Sequence, residues 1–267
     1  MRFLNLYARF IPIYFKSKSE YGIMFYLDFL GFAMGHIVNF LIIWVMLDRF
    51  NTINGWGMYE VILIYTMNMF TFGLASIFFS FQMWEVEDMV AQGTFDVMLV
   101  KPVNPFIHMI IRTFGHFYLG DVIIGIIMFI VCFNHLNVHM GFAELLILLV
   151  VLIGATLVQA AFIVITGSMC FWFTRSGALM DMVVHGIRSF MDYPISIYSK
   201  FIRILVTFVV PYAFVNFYPS QLILNKTGET LFSPILPYVA PVVGLAMFLL
   251  AYAVWNKGLN KYQGTGS

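Results

Sequence analysis

Long runs of apolar residues, separated by short polar stretches, form the dominant pattern of this chain. These runs lie near residues 21–47, 58–80, 105–133, 143–173, 196–217 and 235–255. Each is long enough to cross a bilayer as an α-helix, which takes about 20 apolar residues. The pattern therefore predicts an all-α membrane protein with six transmembrane helices in one domain over 1–267. Pro211 interrupts the fifth run, which a span tolerates when neighbouring groups satisfy the freed carbonyl.

The first 20 residues show a different pattern, because their polar and apolar positions fall on opposite sides of a helix. Arg2, Asn5, Arg9 and Lys16 recur at helical spacing, and aromatic and aliphatic residues occupy the other side. This arrangement predicts an interfacial helix over 1–20 that lies on the membrane surface with its basic edge toward the headgroups. The alternative is a charged tail without regular structure.

Composition and charge narrow the class of protein further. Hydrophobic residues make up 61% of the chain and charged residues 10%, which excludes an ordinary soluble globular protein. The net charge of +1 gives no support to nucleic-acid binding, which needs a clustered basic face.

The uneven distribution of basic residues predicts the orientation in the membrane. With the N-terminus inside, twelve Lys and Arg residues lie on the inner side and two, Arg49 and Lys226, lie on the outer side. Cytoplasmic loops carry an excess of Lys and Arg. We therefore expect a multi-pass protein of the cell membrane with both termini in the cytoplasm. Segments 81–104 and 174–200 are predicted inside, and segments 48–57, 134–142 and 218–234 outside.

The polar segment 81–104 has the punctuation of two short helices. QMWEVEDMVAQ (82–92) places apolar residues at helical spacing and is followed by Gly93, a residue typical of the position after a helix end. Thr94 is then expected to cap a second helix, with Asp96 near its positive end. That helix must end near Val100, since the residue before Pro102 is disfavoured in the α conformation. A third helix is expected to start at the next proline, Pro105.

The second of these helices carries a small apolar stripe formed by Phe95, Met98 and Leu99. Such a stripe either lies on its own bilayer surface or fills a groove in a partner protein. The residues alone leave both alternatives open.

Three stretches resemble a known family. GTFDVMLVKPVNP (93–105), PYAFVNFYPSQLIL (211–224) and WNKGLNKYQGTG (255–266) are similar to motifs of ABC transporter permeases of the second exporter class. More narrowly, they resemble the small six-span permeases that work in pairs. The three stretches occur in the order and at the topological positions of that subgroup, so the resemblance extends over the whole chain.

The resemblance implies a role for the segment after the second span. In the family this segment is a coupling helix that docks in a groove of a separate cytoplasmic ATPase. Phe95, Met98 and Leu99 would then fill the groove, and Lys101 would anchor the exit at lipid headgroups. Gly93 and Pro102 belong to the motif, and polar contacts at the rim would come from Glu85, Glu87, Asp88 and Asp96. The resemblance also implies short re-entrant helices in the outer segment 218–234.

The chain shows no motif for chemistry of its own. It contains no GxxxxGK[ST] sequence, so we expect ATP and Mg²⁺ to bind to the partner ATPase and no catalytic, cofactor or metal site here. The resemblance implies two ATPase copies and a second permease chain, homologous or identical. Cys132 and Cys170 are predicted at opposite ends of adjacent spans, about 30 Å apart, which favours packing roles over a disulfide.

Polar residues within the predicted spans are candidates for a translocation path or for contacts between helices. His108, Arg112 and His116 recur at i, i+4 and i+8 and would form one stripe, and Asp121 follows them. Asp28 and His36 lie two helical turns apart in the first span. Asp121 is a candidate partner for one of the other polar residues, and the pattern does not select which. Arg112 either lines the path, pairs with another span, or extends to the inner headgroups.

Three functions remain as hypotheses. The first is the permease subunit of an ATP-driven exporter. The second is a channel or secondary transporter that needs no ATPase, which the polar span residues permit. The third, an intramembrane protease, is disfavoured because Gly120-Asp121 lacks the first glycine of GxGD and there is no HExxH. We favour the first, and the sequence leaves its substrate open.

Overall fold

The computed structural model describes residues 22–226 and 232–263, without the side chains of residues 22–29 and 32. The interfacial helix predicted over 1–20 lies outside these residues. The described part is all-α and contains no strand, in agreement with the predicted fold class. A lone antiparallel bridge between Ile53 and Trp56 closes the turn after the first helix.

Ten helices, some with short irregular extensions, make up the described chain. Their bounds are α1 Gly22–Phe50, α2 Met58–Ala91, α3 Asp96–Leu99, α4 Pro105–Arg112, α5 Leu119–His135, α6 Phe142–Ser168 with an extension over Cys170–Phe173, α7 over 177–190, α8 Lys200–Val209, α9 Phe217–Ile223 and α10 Ala240–Lys261. Single 3₁₀ turns precede α5, α9 and α10 at His116–Tyr118, Tyr212–Phe214 and Leu236–Tyr238.

The long helix α2 is the centre of the bundle. Its most apolar window is 83% buried, whereas that of α1 is 11% buried, so α1 packs at the periphery. We call the end of the bundle that carries residues 92–104 the lower end, and the end that carries residues 51–57 the upper end. Since α2 has 34 residues, it is about 50 Å long and extends beyond a hydrocarbon core of about 30 Å.

The third predicted span is broken near its lower end. Helix α4 ends at Arg112, and Thr113 has the extended conformation. The break lies close against α2: the Gly115 amide donates to the Ile77 carbonyl at 3.0 Å, and a Cβ atom at Gly115 would lie 2.9 Å from the Ser76 carbonyl oxygen. The crossing part of this span is therefore His116–His135.

Residues 174–200 do not form a loop at the lower end, and this corrects the predicted topology. The segment begins there, where the Ser176 hydroxyl donates to the Glu87 carboxylate at 3.2 Å. It ends at the upper end, where the Asn54 side-chain amide donates to the Ser196 carbonyl at 2.9 Å. Residues 177–197, with α7 as their helical part, therefore run the depth of the bundle and are its fifth crossing. The hydropathy pattern missed this crossing because Asp181, His185, Arg188 and Asp192 interrupt it.

The segment predicted as the fifth span, 196–217, is instead part of a re-entrant hairpin. Lys200–Val209 and Tyr212–Ile223 meet at an angle of 77° around Pro211. The hairpin enters from the upper end, where Arg203 donates to the carbonyls of Ser196 and Tyr198. It returns there, since Lys226 pairs with Glu60 at 2.8 Å. Most of the re-entrant element therefore lies before the predicted segment 218–234. The sequence pattern predicted a span at 196–217 because the hairpin is about as long and as apolar as a span.

Helices α6 and α10 approach each other closely. A Cβ atom at Gly244 would lie 2.1 Å from the carbonyl oxygen of Gly154, so these two backbones are in direct contact. By contrast, no atom of the described residues lies within 4 Å of a Cβ position at Gly31 or Gly35, the two glycines of the GxxxG sequence in α1. The backbone contact between α6 and α10 thus depends on two glycines that are far apart in sequence.

Candidate coupling segment and intramembrane polar network

The candidate coupling segment begins where α2 ends. The separate helix predicted over 82–92 is instead the last part of α2, which continues to Ala91. The predicted stop is confirmed, because Gly93 has φ +70°, a conformation that favours glycine. Thr94 does not cap α3; its hydroxyl donates to the Met89 carbonyl at 3.4 Å, and Phe95 occupies the capping position.

Helix α3 spans Asp96–Leu99, and its packing differs from the expected one. Phe95 and Met98, expected to fill a partner's groove, are 0% and 2% exposed. The Phe95 ring makes edge-to-face contacts with Phe171 after α6, at 5.3 Å between centroids, and with Tyr262 after α10, at 5.1 Å. These two side chains are therefore the internal anchor of α3 and are not available to a partner in this conformation.

The outward face of α3 is formed by other apolar residues. Val97 is 58% exposed, Leu99 41% and Val100 82%. Of the three residues expected on the docking stripe, Leu99 alone lies on this face. In a helix of one turn, apolar residues lie on both sides, so the spacing does not determine which side faces the protein. The buried side is determined by Phe171 and Tyr262, which are distant in sequence and therefore invisible to the local pattern.

Charged groups beside α3 are partly engaged within the chain. Glu85 forms an ion pair with Arg112 at 3.0 Å and accepts a hydrogen bond from the Thr113 hydroxyl at 2.8 Å. Of the alternatives for Arg112, which were lining a path, pairing with another span or extending to headgroups, the structure therefore shows pairing, with α2. Glu87 is 6% exposed, so it lies beneath the surface instead of at a rim.

A cleft opens beside this charged group at the lower end. Its volume is about 510 Å³, and its lining is mostly polar: Glu85, Asp88, Met89, Gln92, Thr94, Val97, Lys101 and Arg112. Asp88 and Asp96 are exposed beside this cleft, and their contact with a partner stays a prediction. The cleft and the outward face of α3 form one continuous surface that shares Val97.

The exit of the segment is fixed by α4. The Asn104 side chain accepts hydrogen bonds from the amides of Phe106 and Ile107, and Pro105 occupies the first helical position, as predicted. Pro102 is exposed in the turn before this cap. The Lys101 ammonium lies 3.0 Å from Nε2 of His108. Burial, together with the charges of Lys101 and Arg112, lowers the pKa of His108 below its ordinary value.

The structure separates the predicted stripe of His108, Arg112 and His116. The helix ends after Arg112, so His116 follows the break and is buried against the rest of the bundle. His108 and Arg112 stay on α4 and belong to the lower-end surface.

A buried polar contact joins the first three crossings. Nε2 of His36 lies 2.9 Å from the Asp121 carboxylate, and Nδ1 lies 2.8 Å from the Tyr65 hydroxyl. His36 is therefore the partner of Asp121 that the sequence could not select. Asp28 lies on α1, but its side chain is outside the described part. Tyr65 gave no signal in the sequence, since a tyrosine in an apolar run is ordinary packing.

A second polar network joins α2, α6 and the fifth crossing. The Asn68 amide donates to the Asp192 carboxylate at 2.7 Å and to the Arg188 carbonyl at 3.2 Å. The Gln159 amide donates to the Asn68 carbonyl oxygen at 2.9 Å. Buried polar groups in a membrane must be paired, so this network positions α7 against the bundle. Sequence reasoning missed Gln159 and placed Asp192 in a loop.

Comparison with known proteins identifies the family. The model of the family described as ABC-2 family transporter protein matches residues 33–266. Neither the curated proteins nor the solved structures gave a match. Membership implies association with ABC ATPase partners. The match covers the exposed lower-end segment and the polar networks alike. The chain therefore belongs to the ABC-2 transporter family, and it is a multi-pass membrane permease component that does not itself carry out catalysis.

Proposed function

We propose that this chain is the permease subunit of an ATP-driven exporter whose ATP is hydrolysed by a separate cytoplasmic ATPase. The observation that carries the proposal is the two-sided packing of α3. Its inner side is fixed by Phe95 and Met98, and its outer side presents Val97, Leu99 and Val100 beside a charged cleft. A short helix with a rigid anchor and an apolar outer face fits a groove in a partner.

The anchor gives a route for movement into the bundle. Phe95 contacts Phe171, and Phe171 contacts Trp255 of α10 at 5.1 Å between ring centroids. Force on α3 is therefore delivered to α6 and α10 as well as to α2. Because protein interiors are close-packed, these helices move together instead of yielding locally.

The lower end is the cytoplasmic end in this proposal. Lys101, Arg112, Arg175, Lys257 and Lys261 lie at that end. The hairpin places Lys200 and Arg203 at the upper end with Arg49 and Lys226, so the described part has five basic residues at the lower end against four at the upper end, instead of the predicted twelve against two. The orientation therefore rests mainly on the resemblance to the permease family. Both ends of the described chain, at residues 22 and 263, then face the cytoplasm. The resemblance to small paired permeases supports two ATPase copies, with ATP and Mg²⁺ bound there, and a second permease chain, homologous or identical.

The exposed polar face of α7 fits contact with a second permease. In α7, Asp181, His185 and Ser189 are exposed at i, i+4 and i+8 in a segment that crosses the bundle. Ionisable groups in a span usually face protein or water. A second permease beside α7 would enclose this polar face and create the path between the two chains.

Affinity purification of the tagged chain from mild detergent tests the proposal. We expect a soluble ATPase to co-purify in stoichiometric amount with ATPase activity in the eluate. Val100→Glu should reduce its recovery, because Val100 is the most exposed apolar residue of the segment. Ile235→Glu is the matched control, since Ile235 is 62% exposed at the upper end. Recovery of the chain without any ATPase would favour the channel or secondary transporter instead.

A further inference from the structure

Arg188 is a cation in the fifth crossing whose guanidinium has no carboxylate of the described residues at ion-pair distance. Its Nε and Nη1 atoms are buried and make no hydrogen bond. Among the described residues, Glu85 pairs with Arg112, Glu60 pairs with Lys226 and Asp121 contacts His36, and no carboxylate lies within 4.0 Å of the Arg188 guanidinium. Arginine carries its charge at all physiological pH values, so this group cannot become neutral.

The position of Arg188 makes the missing anion significant. Its Cζ atom lies 4.0 Å from the centroid of the Phe72 ring, on the face of the central helix α2. Phe72 is 14 residues from the upper end of α2 and 19 from the lower end, about 21 Å and 28 Å respectively. Arg188 therefore lies near the middle of the bundle, where extension to lipid headgroups is hardest. Ionisable residues at such depth mark pathways or are paired.

The groups around Arg188 are one acid and several aromatic side chains. Asp192 lies within electrostatic range of Arg188, and its carboxylate accepts a hydrogen bond from Asn68. Other neighbours within electrostatic range are His185 and the tyrosines Tyr65, Tyr118 and Tyr212. Arg188 is only partly buried, and His185 on the same helix is exposed. The guanidinium is therefore held by an aromatic ring on one side and borders the exposed polar face of α7 on the other.

We infer that Arg188 binds the anionic group of the molecule that this permease moves, a phosphate or carboxylate held by the planar fork of the guanidinium. The inference rests on the proposed transport function and adds a substrate class to it. A bidentate contact to an oxyanion along one edge of the guanidinium, through Nη2 together with Nε or Nη1, would give one of the two buried N–H groups the acceptor that the described residues do not supply. The cation–π contact with Phe72 orients the guanidinium without neutralising it.

Arginine labelling in the unmodified protein tests accessibility and binding together. The full chain, with the proteins that co-purify with it, is placed in phosphatidylcholine nanodiscs and treated with phenylglyoxal. Peptide mass spectrometry then quantifies modification at Arg188 and, as an internal control, at the exposed Arg49. We expect saturating dodecyl phosphate to protect Arg188 about tenfold, the value for roughly 90% occupancy, and to leave Arg49 unchanged. Dodecyltrimethylammonium should protect neither.

Inorganic phosphate distinguishes the two sources of the anion. Protection by inorganic phosphate as well as by dodecyl phosphate would indicate a water-soluble anion. Protection by dodecyl phosphate alone would indicate the headgroup of an amphiphile, and both results support the inference. Equal labelling of Arg188 with and without either anion would overturn it. Absence of labelling in the free protein would also overturn it, since the guanidinium would then be closed to small molecules.

Equilibrium binding of dodecyl phosphate to variants provides the second measurement. Arg188→Gln should weaken binding about ten- to a hundredfold, because it removes hydrogen bonds from a charged donor. Arg188→Lys should weaken it less, since the charge remains and the planar fork is lost. Arg49→Gln, the matched control, should bind as the wild type does. Wild-type binding by Arg188→Gln would show that Arg188 only balances Asp192, while co-purification of the ATPase tests the transport function separately.

Discussion

Replacement of Phe95 by alanine should loosen the candidate coupling segment, residues 92–104, without changing its outward face. Phe95 is fully buried, and its ring contacts Phe171 and Tyr262. Loss of a buried phenylalanine side chain typically costs about 3–5 kcal/mol, which includes the cavity that remains. If α3 opens as a unit, the opening equilibrium should rise about a hundred- to several thousandfold. Val100→Ala should change it little, because Val100 is 82% exposed and such surface changes are usually within about 0.5 kcal/mol.

Amide hydrogen exchange over residues 93–103 measures this difference in the purified chain without ATPase. We expect Phe95→Ala to lose protection there and Val100→Ala to keep it. Variants at Val100 should instead weaken association with the ATPase directly, while the hydrogen-exchange protection of residues 93–103 stays unchanged. The reasoning is refuted if Phe95→Ala exchanges at the wild-type rate, or if Val100→Ala loses as much protection as Phe95→Ala.

Further expectations concern topology, helix packing and pH. In a variant without native cysteines, cysteine at Ser199 should react with an impermeant maleimide from outside intact cells, and cysteine at Arg175 should react only after lysis, because residues 177–197 cross the bundle. Gly244→Ala should destabilise the chain by about 1–3 kcal/mol in thermal unfolding, since the new Cβ would meet a backbone oxygen at 2.1 Å, whereas Gly31→Ala should stay within about 1 kcal/mol. Protection factors over 99–104 should fall below about pH 6.5 in the wild type and not in His108→Gln, because the lowered pKa of His108 means that the open state binds a proton more readily than the closed state.

Each of these expectations has a contradictory result. Labelling at Ser199 and Arg175 from the same side would restore the predicted loop and the fifth span over 196–217. Equal thermal stability of the Gly244 and Gly31 variants would mean that α6 and α10 are not in backbone contact. Protection that rises on acidification would mean that protonated His108 is favoured in the closed segment, contrary to the sign derived from its surroundings.

The apolar pattern predicted the elements that depend on local sequence alone. The ends of the 92–104 segment follow from Gly93 and Pro105, whose conformational preferences act over one or two residues. The spans that are uniformly apolar were likewise found near their observed positions. These features need no knowledge of the partner helices.

The fifth crossing could not be predicted because its polar residues are satisfied by distant ones. Asp192 is bound by Asn68, 124 positions earlier, so its burial has no local signature. The re-entrant hairpin was wrongly predicted as a span for the opposite reason. It is apolar enough to resemble a span, although both its ends lie at the upper end.

The sequence motif predicted the position of the candidate coupling segment, but it did not predict which side of α3 is buried. The motif places the segment, while the contacts of Phe95 with Phe171 and Tyr262 decide which face of α3 is covered. Likewise, Asp121 was a candidate from its position in a span, and its partner His36 lies 85 positions away. Pairings at such separation depend on how the helices assemble.

Site-specific photo-crosslinking tests whether the outward face of α3 contacts the ATPase. A benzophenone side chain introduced at Val100, and separately at Ile235 as the upper-end control, is irradiated in membranes with the native complex intact. We expect a crosslinked ATPase at Val100 and none at Ile235. An ATPase crosslink at Ile235, or none at Val100 when the ATPase co-purifies with that variant, would contradict the assignment of α3 as the coupling helix.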